Sequence, residues 1–380
     1  MRCVQCHATW DECGLAEGRE RGVVTMKALV LHERGGPFVM EERPDPVVGS
    51  GEAVARIMAC GMGLTIQHTR MGRGQPVTFP LIIGHEITAE IVEVGSGVDP
   101  GMLKVGDAVT CYFYITCGYC KWCRLNRPPL CLNLKGHVGR QIDGAYAEYM
   151  KAPVSCFIRL PEGLDYKRHP AEVAVLCDAV ATPYKVIRRA RIAPMEQVAV
   201  IGAGGGVGIH MVMMARWAHA RVIAVDVAEA KLDKCREVGA HATVNAADGR
   251  MTEALLDLTG GNGVDVVVDF VSSPKTLTDG AKALGRGGRL VTLGGGGGAT
   301  PFEALGRDLL SKELELLGSR YCTRQEVYET LELAARGDVW PLVTEKCPFD
   351  AKAALAIHDR LERGDILGRA ALMVTGGEPR

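Results

Sequence analysis

The chain has 380 residues, and that length, with 47% apolar residues, suits two or three domains with sizeable cores. With 44 basic against 45 acidic residues there is no charge surplus to draw the protein onto nucleic acid or a membrane surface. No apolar run reaches the ~18 residues that a membrane-spanning helix needs, and the first residues lack the apolar stretch of a secretory signal. Fourteen cysteines in such a chain point to reduced thiols and metal ligands in the cytoplasm.

Residues 1–25 differ from the rest of the chain and read as a disordered extension. Cys3, Cys6 and His7 in CVQCH match a haem-attachment pattern. Covalent haem needs export and a surrounding haem domain, and the sequence offers neither. From Met26 to residue 178, short runs such as KALVL, AVARIMA, ITAEIVEVG, DAVTCYF and AEYMKA are broken by Gly and Pro, as in an irregular β-rich domain. Inside it, ITCGYCKWCRLNRPPLC carries Cys117, Cys120, Cys123 and Cys131, in a lobe spanning about residues 111–133. Four thiolates at this spacing close a tetrahedral shell around one structural zinc with no open position.

Near Asp178 the pattern changes. The strands QVAVIG, RVIAVD, ATVN, VDVVVDF, RLVTLG and LELLGS alternate with helical stretches, which predicts βαβ units and a parallel sheet over residues 179–322. A helix EVYETLELAARG, a strand near Leu342 to Glu345, a helix AKAALAIHDRLERG and a last strand RAALMV follow, and residues 323–380 rejoin the first domain. The fold class is α/β: a β-rich domain plus a doubly wound parallel sheet.

The stretch VAVIGAGGGVGIHMVMMARWAHARVIAVD is a strand, a glycine turn, a helix and a second strand that ends in an acid. Gly202, Gly204, Gly205, Gly206, Val207 and Gly208 let the backbone approach a pyrophosphate at the helix start. The turn is one residue longer than the usual G-x-G-x-x-G. Asp226 falls where a carboxylate accepts the adenosine ribose hydroxyls and repels a 2′-phosphate, so NAD is favoured over NADP.

Taken together, these motifs resemble the zinc-containing medium-chain alcohol dehydrogenase family, over Met26 to about Val374. The landmarks are GHE at Gly84–Glu86, VGSGV, VGDAV, the cysteine lobe, the glycine turn, GGRLVTLG and a late Gly368–Arg369. The resemblance implies a GroES-like catalytic domain with a Rossmann domain inserted. Members with a catalytic zinc draw one ligand from a stretch that here reads Cys60-Gly61-Met62-Gly63-Leu64-Thr65-Ile66-Gln67-His68. Its ligand position is Gly63, which cannot bind metal. The other ligand positions are His85, with Glu86 beside it, and Asp178. Two readings stay open: a second zinc held by His85, Glu86 and Asp178, or a site that has lost its catalytic metal.

The resemblance also implies a proton path from the Thr65 hydroxyl through the nicotinamide ribose to His68. It places Thr182, Lys231, Gly294, Gly295 and Arg369 with the cofactor, Arg369 as the partner of the pyrophosphate. The activity implied is NAD(H)-dependent interconversion of an alcohol and an aldehyde or ketone, with small-molecule substrates and a homodimer or homotetramer. The alternative is reduction of a C=C bond of enone or quinone type without a catalytic zinc, which suits the loss at Gly63.

Overall fold

The computed structural model describes residues 25–74, 76–294, 303–304 and 306–374. The CVQCH motif and Gly295 lie outside the described residues. Thr25, one residue before Met26, already pairs with Pro44.

The six strands read from the 179–322 stretch are all present. They form one parallel sheet in the order Ala242–Asn245, Arg221–Asp226, Gln197–Ile201, Val264–Asp269, Leu284–Thr292, Glu315–Gly318. The central strands were legible because helices cover both faces, so each strand is a nearly continuous apolar run. Val198 to Val200 and Val266 to Val268 are fully shielded from solvent. The strand order reverses at Gln197–Ile201, and ligands bind outside the carboxyl ends of strands at such a switch point.

The remaining strands build a mainly antiparallel sheet, in the order Phe157–Arg159, Ala108–Cys111, Ile87–Val94, Glu52–Met62, Arg369–Met373, Val343–Pro348. Tyr149–Pro153 also pairs with Glu52–Met62. The last strand sits directly against an early one, Ala370 opposite Met62 and Leu372 opposite Cys60. This pairing carries Arg369 from the far end of the chain to the start of the helix Leu64–Arg70. A small sheet, Phe38–Pro44 with Thr25–Leu31 and Leu81–Ile82, packs alongside. Among the described residues, no helix is long and apolar enough to cross a membrane.

Candidate active site and metal centre

The four cysteines of the lobe converge. Sγ–Sγ separations are 3.9 Å for Cys117–Cys123, 3.6 Å for Cys120–Cys123, 4.0 Å for Cys120–Cys131 and 3.5 Å for Cys117–Cys131. A zinc with bonds of about 2.3 Å gives a tetrahedral edge near ~3.8 Å, so the cluster has the size of the ion it is read to hold. Backbone N–H groups of Cys117 and Cys120 point at the sulfurs of Cys131 and Cys117, both at 3.4 Å. The N–H of Cys123 helps pull the Cys120 thiol down to about 6, while burial and its neighbouring sulfurs push Cys123 up to about 12. Four thiolates share this space only with a cation among them. The other described cysteines, Cys60, Cys111, Cys156, Cys177, Cys235, Cys322 and Cys347, are buried free thiols.

A cleft of about 720 Å³ runs along the carboxyl ends of the parallel strands. Gly202, Gly205, Gly206, Val207 and Gly208 line it, with Asp226, Lys231, Gly294 and Arg369. From the catalytic side it receives Leu64, Thr65, His68 and Ile366. Gly202 holds a left-handed φ of +75°, and a Cβ on Gly208 would lie 2.0 Å from the Gly202 carbonyl oxygen. The turn therefore folds back on the start of the ten-residue helix Gly208–Trp217, which leaves its N–H groups for an anion. Asp226 Oδ2 accepts the Gly204 N–H at 2.9 Å, and Oδ1 accepts those of Val227 and Ala228 at 2.8 and 3.3 Å. A carboxylate has about four acceptor sites, so one remains for a ribose hydroxyl. These residues fit a nicotinamide dinucleotide.

Two contacts at this cleft were not legible in the sequence. His210 Nδ1 donates to the Gly206 carbonyl at 2.7 Å, and its Nε2 accepts the Leu342 N–H at 2.9 Å. The ring ties the glycine turn to the returning C-terminal segment, and burial holds its pKa down to about 4, in the neutral form this pairing needs. Lys231 spends its ammonium on the Gly364 carbonyl at 2.7 Å, across the mouth of the cleft.

On the other wall, Thr65 and His68 sit three residues apart on the helix Leu64–Arg70 and share one face of it. Gly63 is the N-cap, so Thr65 is inside the helix and free of a capping task. Thr65 is exposed and His68 half-buried. Burial, with Arg73 nearby, lowers the His68 pKa and so favours the neutral imidazole. Arg140 was missed by sequence reasoning. Its guanidinium bonds Thr69 Oγ1 at 2.8 Å and the Thr65 carbonyl at 3.3 Å, and so fixes this helix.

Behind that wall, His85, Glu86 and Asp178 lie buried with ligand atoms within 4.8 Å of one another. Asp178 Oδ2 is 3.3 Å from His85 Nε2, while Oδ1 accepts the Thr182 hydroxyl at 2.8 Å. Thr182 thus orients Asp178 and does not line the cofactor cleft. The separation of 3.3 Å suits a weak hydrogen bond, and it equally matches an edge of a zinc tetrahedron with bonds of about 2.0–2.1 Å. Glu86 is engaged elsewhere: Arg369 donates Nε to Oε2 at 3.1 Å and Nη2 to Oε1. Burial raises the Glu86 carboxyl to about 7 against the pull of that guanidinium. Arg369, implied by the resemblance as a pyrophosphate partner, lines the cleft but points its charge at Glu86. Cys60 stays in its strand, fully buried, with burial raising its pKa, and joins no ligand set. Catalytic zinc takes three protein ligands, and here His85 and Asp178 are the two that face each other freely. The donor set as it stands does not fit a second zinc.

Family models match two segments, an alcohol dehydrogenase GroES-like domain over residues 49–162 and a zinc-binding dehydrogenase over residues 206–336. A NAD-dependent alcohol dehydrogenase of Sulfolobus acidocaldarius is 33% identical over 92% of this chain and 100% of its own length. An acryloyl-coenzyme A reductase of Sulfurisphaera tokodaii is 29% identical over 84% of this chain and 91% of its own. The crystal structure of AibC superposes with a TM-score of 0.82 at 34% identity, covering 93% of this chain and 97% of that one. The cleft, the cysteine lobe and these likenesses agree: the chain belongs to the zinc-containing medium-chain dehydrogenase/reductase family.

Proposed function

We propose that this protein is a NAD(H)-dependent oxidoreductase that interconverts an alcohol with an aldehyde or ketone. The observation that carries the reading is that the glycine turn and Asp226 line the same cleft as Thr65 and His68. Bound NAD supplies the hydride acceptor. Asp226 and the glycine turn hold the adenosine and pyrophosphate, and Gly294 borders the carboxamide end of the cleft. The Thr65 hydroxyl bonds the substrate oxygen and, as the alcohol is oxidised, accepts its proton while passing its own along the path. His68, neutral under working conditions, accepts that proton at the outer end of the path. Thr182 orients Asp178, which meets His85 in the buried cluster, and the cysteine lobe holds one structural zinc.

The division into residues 26–178 with 323–380, and 179–322, is supported by the two separate sheets. Pairing into a dimer or tetramer through the edge strand Glu315–Gly318 is supported by its exposed Leu316. A reducing, cytoplasmic setting is supported by the eleven free cysteines among the described residues.

One observation favours a second reading, reduction of an activated C=C bond. No thiolate ligand stands at residue 63, and acryloyl-coenzyme A reductases are among the relatives. The two readings separate by where the hydride lands. NADH deuterated at C4 is incubated with ketones, aldehydes and α,β-unsaturated thioesters. Deuterium on the carbinol carbon supports the first reading, and deuterium on the β-carbon alone replaces it with the second.

A further inference from the structure

Gly63 occupies the ligand position of the resemblance, and the space its side chain would take is filled. A Cβ placed there would lie 2.1 Å from Arg369 Nη1, 2.3 Å from Cζ and 2.4 Å from Nη2. Any side chain at this position would have to evict the guanidinium. That guanidinium is held firmly. Its Nε and Nη2 are spent on Glu86, and only 4% of Arg369 and 0% of Glu86 remain exposed. Backbone pairing of Ala370 with Met62 fixes the root of the side chain beside Gly63.

The remaining amino group faces the cleft. Nη1 is the atom nearest a Cβ built on Gly206, at 3.0 Å, so it lies between the start of the helix Leu64–Arg70 and the glycine turn. It has no acceptor among the described residues, whereas Nε and Nη2 do. A fixed donor at the edge of the cleft is an arrangement that stabilises negative charge developing beside it.

The same geometry is hostile to a metal. His85 and Asp178 offer two ligands, and Glu86 becomes a third only by abandoning its counter-ion. A dication seated on those atoms would face a guanidinium at contact range in a low-dielectric site.

We propose that Arg369 stands in place of the family's second metal. With Glu86 as counter-ion it is the fixed cation of the reaction cleft, and Gly63 is the residue that makes room for it. Nη1 is then the donor offered to an oxygen of the substrate or of the bound cofactor. The chain holds one zinc, on Cys117, Cys120, Cys123 and Cys131, and Arg369 excludes a second from His85, Glu86 and Asp178. The inference rests on the family reading, but its test counts metal and not turnover. A failed alcohol dehydrogenase assay therefore leaves it standing.

The test is metal stoichiometry on full-length protein, dialysed and then titrated with zinc or cobalt(II). Wild type is expected to hold one ion per chain. Arg369→Met, which keeps the bulk and removes the charge, frees Glu86 and is expected to hold two. Adding Asp178→Asn to that variant is expected to return the count to one. Arg369→Lys, which restores a cation, is expected to stay at one. Wild type with two ions, one of them lost on Asp178→Asn, overturns the proposal even where Arg369→Met does not fold. A folded Arg369→Met that still binds one ion overturns the exclusion.

Discussion

Replacing Asp226 by Ala separates two roles that the structure gives this carboxylate. One is internal, since Oδ2 accepts the Gly204 N–H at 2.9 Å and Oδ1 the Val227 N–H at 2.8 Å. Losing it loosens the glycine turn and weakens NAD and NADP alike. The other acts on the ribose. A hydrogen bond from a hydroxyl to a carboxylate contributes roughly 1.5–3 kcal/mol, so NAD loses about 10- to 100-fold. A 2′-phosphate about 5 Å from the carboxylate is repelled by roughly 3 kcal/mol per unit charge at an effective dielectric constant of 20. Removing Asp226, a buried residue, therefore returns about 100-fold to NADP. The turn effect cancels in the ratio of kcat/KM for the two cofactors, and that ratio should fall by about 10³- to 10⁴-fold. Steady-state rates with each cofactor at saturating substrate read it. If both cofactors weaken together and the ratio stays put, Asp226 is only a staple of the glycine turn.

Cys131→Ser should cost one zinc per chain and lower the melting temperature by on the order of 10 °C, because structural zinc contributes several kcal/mol to folding; metal analysis and calorimetry check it, and an unchanged zinc count would contradict the geometry of the lobe. Thr65→Val should lower kcat by about 100-fold or more with the KM for NAD little changed, since the lost hydroxyl serves proton transfer and not cofactor binding. His358 gives a pH dependence of stability. Its Nδ1 donates to Gln67 Oε1 at 3.0 Å, its Nε2 accepts from the Tyr146 hydroxyl at 3.0 Å, and burial, with Arg70 nearby, lowers its pKa to about 3. In the unfolded chain an ordinary histidine takes a proton near pH ~6.5, so between those values the unfolded state binds the extra proton. Stability from this group is full above pH ~6.5 and is lost as pH falls toward ~3, by up to roughly 5 kcal/mol. Denaturant titrations at several pH values should give a shallower acid slope for His358→Gln than for wild type, and equal slopes refute the assignment.

What the sequence made legible is what short-range physics controls. The strands Gln197–Ile201 and Val264–Asp269 announce themselves because burial on both faces demands an apolar run. The cysteine lobe is readable because four ligands within one loop have no other way to meet a tetrahedral ion. His85 and Asp178 come from distant segments, and a family resemblance was needed to bring them together. The contacts that decide how the cleft works are of another kind. His210 looks like any residue of an apolar helix until Leu342 returns to meet it. Lys231 lines the cleft beside Asp226, but its reach to Gly364 is seen only in three dimensions.

Gly63 is the sharpest case of that difference. In the sequence it is a deletion, a ligand that is not there, and every inference from it is about loss. In three dimensions a missing side chain is also a volume, and volumes in protein interiors are filled. What fills this one is a charged group delivered by the last strand of the chain, and that reverses the expectation. A thiolate lost from a zinc site leaves a weaker metal site. On the proposal above, a guanidinium seated where the thiolate would begin, paired with the carboxylate beside His85, leaves a centre whose cation is covalently part of the protein. Such a cation keeps its charge at any pH the enzyme meets and does not dissociate. It is also weaker as an electrophile than a metal, because its single charge is delocalised over three nitrogens. The chemistry open to the cleft is therefore that which needs orientation and modest charge stabilisation around a hydride transfer. On that proposal the choice of substrate, rather than the fold, is the place where the loss at residue 63 is felt.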